Sequence, residues 1–242
     1  MGLFISFEGG DGSGKSTQAR ALADWLEETG HDVVVTREPG GTPMGGAIRD
    51  LLLHGEDMGP RAEALLYAAD RSHHVQSKVR PALERGAVVV TDRYLDSSVA
   101  YQGAARELGT EEVRELSLWA VDGLLPDITF LLDLPTADAA GRAAIRSEGL
   151  DRLERAGREF HDAVRAQYRI LAAREPQRFY VLDARRPVED LAEEIREVVV
   201  GMLEERRAPG GFASGKGTPG EADVSGTPGE ADASGAPGGE CA

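Results

Sequence analysis

At 242 residues the chain is long enough to bury the core of one α/β domain and still carry a tail. Its 27 basic and 42 acidic residues give a formal net charge of −15, a surface that repels DNA and anionic membrane, so neither is expected as a partner. No apolar run reaches the roughly 18 residues of a membrane span, and no basic segment leads the chain. With Cys241 as its single cysteine it can form no internal disulfide, and a reducing cytoplasm is the expected setting.

The first apolar run, 3–7, reads as a short strand, and burying it leaves no free arm for the myristoylation pattern that Gly2 and Ser6 superficially open. Helical periodicity follows over 15–29, through Ala19, Leu22, Ala23 and Leu26, and then the β-branched run Val33-Val34-Val35-Thr36 predicts a strand. Residues 45–53 and 60–84 read as helices, 87–91 as a buried strand, and 97–108 and 111–121 as two further helices. A strand at 128–133, helices at 136–146 and 151–174, a last strand at 179–182 and an amphipathic helix over 188–206 complete the series. Five strands alternating with helices, several of them continuous apolar runs, predict an α/β fold: a three-layer, doubly wound parallel sheet covered on both faces. Beyond about residue 207 the composition shifts to Gly, Pro, Ala, Ser, Glu and Asp, with a near-repeat of 217–225 in 226–234. Such a segment buries too little apolar surface to offset its ordering entropy, so a domain over 1–207 is expected to precede a disordered acidic tail at 208–242.

The sharpest local signal is Gly9-Gly10-Asp11-Gly12-Ser13-Gly14-Lys15-Ser16, which matches G-x-x-x-x-G-K-[ST] between a predicted strand and a predicted helix. Glycines let the backbone curl so that its N–H groups point at phosphate, and the helix N-terminus adds partial positive charge. In such a cradle Lys15 reaches the β- and γ-phosphates of a nucleoside triphosphate, and the Ser16 hydroxyl can ligate Mg²⁺. A guanine-reading switch protein would need Asn in an Asn-Lys-x-Asp motif, and this chain has no Asn at all. A DNA-partitioning ATPase conflicts with the acidic charge. A nucleotide kinase needs a second anion site facing the first, and arginines sit at the predicted strand ends to build one. Arg37 follows the second strand in Arg37-Glu38-Pro39-Gly40-Gly41-Thr42, and Arg93 follows the third in Asp92-Arg93-Tyr94. Arg71 lies on the long helix. In an open parallel sheet these tips form the ligand-binding edge.

Five motifs in order make the chain similar to the bacterial thymidylate kinases over about residues 3–200. They are the cradle with its inner acid, the 37–42 turn, the Tyr67–Arg71 helix, Asp92-Arg93-Tyr94 with 97–103, and Leu150-Asp151-Arg152-Leu153-Glu154. The resemblance implies a P-loop kinase that phosphorylates dTMP to dTDP with ATP and Mg²⁺ by direct in-line transfer, in dTTP biosynthesis. Another nucleotide or deoxynucleoside kinase of the same fold, and a non-kinase P-loop ATPase, stand as alternatives. It implies that Asp11 lies near the acceptor sugar, that Arg93 with Arg37 holds the acceptor phosphate, and that Asp92 sits by Mg²⁺. It further implies that Tyr67 stacks on thymine, Arg71 bonds a base carbonyl, Ser98 and Gln102 face the base edge, and Tyr101 crowds the 2′ position. The stretch 141–150 resembles the family lid, which supplies a catalytic arginine where the cradle has none; Gly12 stands where some members carry Arg, and Arg146 is the expected lid arginine. Family members are usually homodimers, so a homodimer through Val113, Leu116, Trp119 and Ala120 is implied, although a buried core face explains that stripe equally. Trp25 and Trp119 are expected to pack, and His31, His54, His73 and His74 to be solvated helix residues rather than metal ligands.

Overall fold

The computed structural model describes residues 2–143, 153 and 156–207. Five strands, β1 (Leu3–Glu8), β2 (Val33–Arg37), β3 (Val88–Asp92), β4 (Ile128–Asp133) and β5 (Phe179–Asp183), form one parallel sheet in the order β2-β3-β1-β4-β5. In register, Phe7 of β1 lies beside Asp92 of β3 and Phe130 of β4, so the carboxyl ends of the three central strands share one edge. The strand order reverses beside β1, which is where an open sheet leaves a crevice for ligand.

Strand periodicity sends alternate side chains to opposite faces. Leu3, Ile5 and Phe7 join Val88, Val90, Phe130, Leu132 and Leu182 beneath α1 (Lys15–Glu28) and α9 (Val188–Arg207), which contribute Leu22, Leu26, Leu191, Ile195 and Val199. On the other face lie α2 (Pro43–His54), α3 (Pro60–His74), α4 (Arg80–Glu84), α5 (Leu95–Ser98), α6 (Thr110–Ala120) and α8 (Arg158–Arg174), around Phe4, Val89, Tyr94, Val99, Leu131, Tyr168 and Phe179. Helix α7 (Thr136–Ala143) follows β4. Among the described residues no helix is long and apolar enough to cross a membrane.

Three helical predictions change in detail. The 60–84 helix is continuous but passes through a π-helical segment, Val75–Val79, before α4. Pro81 has no amide to return to the carbonyl four residues earlier, and the ladder widens just before it. The 97–108 helix starts at Leu95, and its body, Val99–Ala105, is π-helical. The predicted 151–174 helix is described from Arg158, with Gly157 before it. Trp119 does not pack: on α6 the buried positions are Val113 and Ser117, one helical turn apart, and Trp119 faces outward, 80% exposed.

A buried ion pair ties this second layer to the sheet. Arg178 donates to both carboxylate oxygens of Asp96, at 2.7 and 2.9 Å, and to the Thr129 hydroxyl at 2.8 Å. Removing one member strands the other charge in low dielectric, so Asp96→Ala is expected to cost about 3–5 kcal/mol. Urea unfolding measures it, and a loss below about 1 kcal/mol would show that water reaches Arg178.

Candidate active site

A cleft of about 490 Å³ opens at the carboxyl ends of β1, β2 and β3. Its floor is the predicted cradle. Gly9, Gly12 and Gly14 have φ of 137, 74 and 97°, and a Cβ at Gly9 would lie 2.5 Å from the Leu132 carbonyl oxygen. The turn is therefore closed to larger residues at that point. No side chain caps the N-terminus of α1, so its first amides are left for a ligand. The Lys15 ammonium rests on the Gly10 carbonyl at 2.8 Å. Burial, with repulsion from Arg93, pulls its pKa down to about 8 against the opposing pull of Asp92, Asp11 and Glu8. Ser16, in the first turn of α1, donates to the carboxylate of Asp92 at the end of β3.

Arg93 leaves β3 in the left-handed region, φ 71°, which turns its side chain back across the cradle. Its guanidinium donates to the Gly9 carbonyl, the Ser97 and Tyr168 hydroxyls, the Asp11 carboxylate at 2.5 Å and the Tyr101 hydroxyl at 3.1 Å. Tyr101 in turn donates to the other Asp11 oxygen at 2.8 Å. Burial alone would raise the Asp11 pKa; Arg93, Lys15 and the Tyr101 hydroxyl outweigh it and hold the carboxyl at about 2.

Tyr67, Arg71, Ser98 and Gln102 line the same cleft, as does the exposed Arg37. Arg71 donates to Glu38 at 2.7 Å, to the Ser117 and Ser98 hydroxyls and to the Tyr94 carbonyl. Gln102 donates through Nε2 to the buried Glu63 at 2.8 Å. The π-helical turn brings Tyr101 and Gln102 inward, while Gly103 packs so closely that a Cβ would lie 3.0 Å from the Thr110 Cα.

The expected site residues thus converge, with three qualifications. Gly9, Gly10 and Ser13 belong to the cradle without lining the cleft. Arg146 and most of the 141–150 segment lie outside the described residues, as does 208–242. His74 is not solvated: it is fully buried, with Nδ1 2.9 Å from Glu38 and Nε2 2.6 Å from the Thr36 hydroxyl. A run of two histidines on a helix gives no signal of this, because both partners arrive from another element.

Sequence reasoning also missed Glu38, Arg49, Leu153, Glu8 and Tyr168. Arg49 lines the cleft and donates to the Pro39 carbonyl at 3.0 Å. Leu153, an apolar wall of the cleft, falls within a motif whose order alone had drawn notice. Glu8 offered one legible sign, a carboxylate closing a mostly apolar strand.

The Thymidylate kinase family model matches residues 7–195. A thymidylate kinase of Leifsonia xyli subsp. xyli is 64% identical over 196 residues, covering 81% of this chain and 93% of that protein. One from Cutibacterium acnes is 51% identical over 205 residues, covering 84% and 98%. Among solved structures, the thymidylate kinase of Ehrlichia chaffeensis superposes with a TM-score of 0.68 at 31% identity, covering 82% of this chain and 98% of that one.

Lys15 gives a stability test. Its proton is bound more weakly folded than unfolded, so its charge costs stability below pH 8, and the cost fades as pH rises toward the ordinary 10.5. Lys15→Met is expected to raise the melting temperature at neutral pH, with the gap over wild type closing between pH 8 and about 10. A constant gap across that range would refute the buried-ammonium account.

Proposed function

Because the chain belongs to the thymidylate kinase family, its activity is phosphoryl transfer onto dTMP, and we propose how its own residues carry that transfer. One observation supports the assignment above others. A single cleft is lined together by Lys15 and Ser16 of the cradle, by Asp11 and Arg93, and by Tyr67, Arg71, Ser98 and Gln102. Two nucleotides laid along it meet phosphate to phosphate.

The donor is ATP. The uncapped amides of α1 and the Lys15 ammonium take its β- and γ-phosphates, and the anion restores to Lys15 the charge that burial discourages. The Ser16 hydroxyl and the Asp92 carboxylate already touch, and hard oxygens of this kind suit Mg²⁺ shared with phosphates and water. The residues present fit the ion, which when bound neutralises charge on the transferring group. Arg93, with Arg37 and Arg49 of the same cleft, grips the acceptor phosphate; its position is set by five partners before any substrate arrives. Catalysis is then alignment and charge stabilisation, with no general base required of the protein.

Asp11, held ionised, accepts from the sugar hydroxyl as well as from Arg93. The Tyr101 ring, fixed through its hydroxyl to Asp11 and Arg93, fills the space of a 2′ substituent. Tyr67 offers its ring to the base. Arg71 presents its guanidinium to a base carbonyl, and Gln102, whose Nε2 is occupied by Glu63, keeps its amide oxygen as an acceptor. Arg146 of the 141–150 lid is assigned to the transferring phosphoryl group. The catalytic unit is 1–207, acting in the cytoplasm.

With ATP and Mg²⁺, a coupled assay is expected to show dTMP as a far better acceptor than AMP, CMP or GMP, and a chain ended at Arg207 to give the same ranking. Equal use of another monophosphate would sink the base assignment. We further assign a homodimer. Leu51, Leu65 and Trp119 are exposed on α2, α3 and α6, and these helices pack in series, α2 on α3 and α3 on α6. Trp119→Glu is expected to halve the mass measured by light scattering; a mass unaffected by the substitution would remove this face as the interface.

A further inference from the structure

Glu8 is a fully buried carboxylate that the transfer itself does not use. It closes β1, has no exposed surface, and shares the face of Phe4 and Ser6. One oxygen accepts from the backbone amides of Tyr94 at 2.7 Å and Ser97 at 3.3 Å. The other lies 2.7 Å from the Ser97 hydroxyl and 2.8 Å from the Tyr168 hydroxyl, and those two hydroxyls are 2.8 Å apart. Three oxygens therefore stand at mutual hydrogen-bond distance. With Glu8 ionised the two hydroxyls bring two protons for three edges, and one edge is always empty. A third proton, carried by Glu8, would complete the ring: carboxyl to one hydroxyl, that hydroxyl to the other, and back to the same carboxyl oxygen.

Arg93 stands directly behind the ring. Its guanidinium donates to Ser97 at 3.0 Å and Tyr168 at 3.3 Å, so both hydroxyls keep a lone pair toward it in either protonation state. We infer that Glu8 takes up a proton as the acceptor phosphate settles on Arg93, closing this ring and acting as the positioning residue behind that arginine. The inference rests on the assignment of Arg93 to the acceptor phosphate. A phosphate dianion draws on the positive charge that otherwise stabilises the Glu8 carboxylate and repels that carboxylate itself, and both effects favour the neutral acid.

The other charges around Glu8 are accounted for. Asp96 on α5 is the like charge that acts on Glu8 and is shared with Arg178; Lys15 and Asp11 lie in the cradle. Burial first, then Asp96, raise the Glu8 pKa, against Arg93 and the two hydroxyls, to about 7. In the empty protein at pH 8 the residue is thus mostly ionised and within reach of protonation.

Calorimetric titration of the full chain with dTMP, at pH 8 in two buffers of different ionisation enthalpy, counts the protons taken up. Wild type is expected to take up about half a proton more than Glu8→Gln, whose amide is a donor that stays uncharged at every pH. The dTMP dissociation constant should rise with pH between 7 and 9 more steeply in wild type than in E8Q. Because Glu8 itself bears on the Lys15 pKa, the same pair is also compared in a Lys15→Met background, where Lys15 contributes no proton, and the difference is expected to persist. Should E8Q not fold, Ser97→Ala and Tyr168→Phe each remove one corner and are expected to lose the same uptake. Equal proton uptake and equal pH slopes in wild type and in whichever of these variants fold would overturn the inference. A loss of dTMP affinity in Arg93→Lys beside that result would leave the phosphate assignment standing. Wild-type affinity in Arg93→Lys would overturn that assignment, and this inference with it.

Discussion

The site depends on where the Arg93 guanidinium is held. A non-glycine residue in the left-handed region costs about 1–2 kcal/mol, and here that turn is what carries a strand-end side chain back over the cradle. Its partners come from the cradle (Gly9, Asp11), from the start and body of the helix after β3 (Ser97, Tyr101) and from α8 (Tyr168). Three segments, two of them far from Arg93 in the chain, are thereby fixed relative to one cation. An arginine suits the task because it stays charged when buried and spreads rigid donors over several acceptors.

A second buried web borders the same cleft. Glu38 accepts from Arg71 and pairs with His74, which reaches Thr36 on β2. Asp70 beside them accepts from the Gly40 amide, and burial with the nearby Glu38 pushes its carboxyl upward. The turn after β2 is thus bound to α3 by charges that water does not reach. Two glycines follow from that approach: a Cβ would lie 2.7 Å from the His74 ring at Gly41 of the turn, and 2.2 Å from an Asp70 oxygen at Gly45 in the first turn of α2. Buried pairs of this kind add little net stability over apolar packing, but they allow few alternative arrangements, which is what two facing nucleotide pockets require.

Most of the fold was legible. The β-branched and apolar runs at 33–36, 87–91 and 128–133 became β2, β3 and β4 within a residue or so: β3 and β4 are buried on both faces and need continuous apolar side chains, while the half-exposed edge strand β2 is legible from its β-branched residues. The cradle was legible residue by residue, since its function resides in a contiguous backbone turn. The strand-end arginines were legible as an edge once the sheet was inferred to be parallel. What failed had its cause elsewhere in the chain. Trp119 falls on the apolar stripe of α6 yet faces outward. His74 looks like any helix histidine until β2 and the turn after it close over it.

The sequence by itself determined the order of strands and helices, the phosphate cradle and the set of arginines available to face it. These rest on contacts within a few residues and on periodicities of 2 and 3.6 that burial imposes. Only the tertiary structure decided which charges meet. It brought Glu8 to Tyr168 across 160 positions, Arg93 to Asp11 across 82, and turned a helix π-wise so that Tyr101 could join them. Side-chain partners across such separations follow from how layers pack, and local propensity has no access to that.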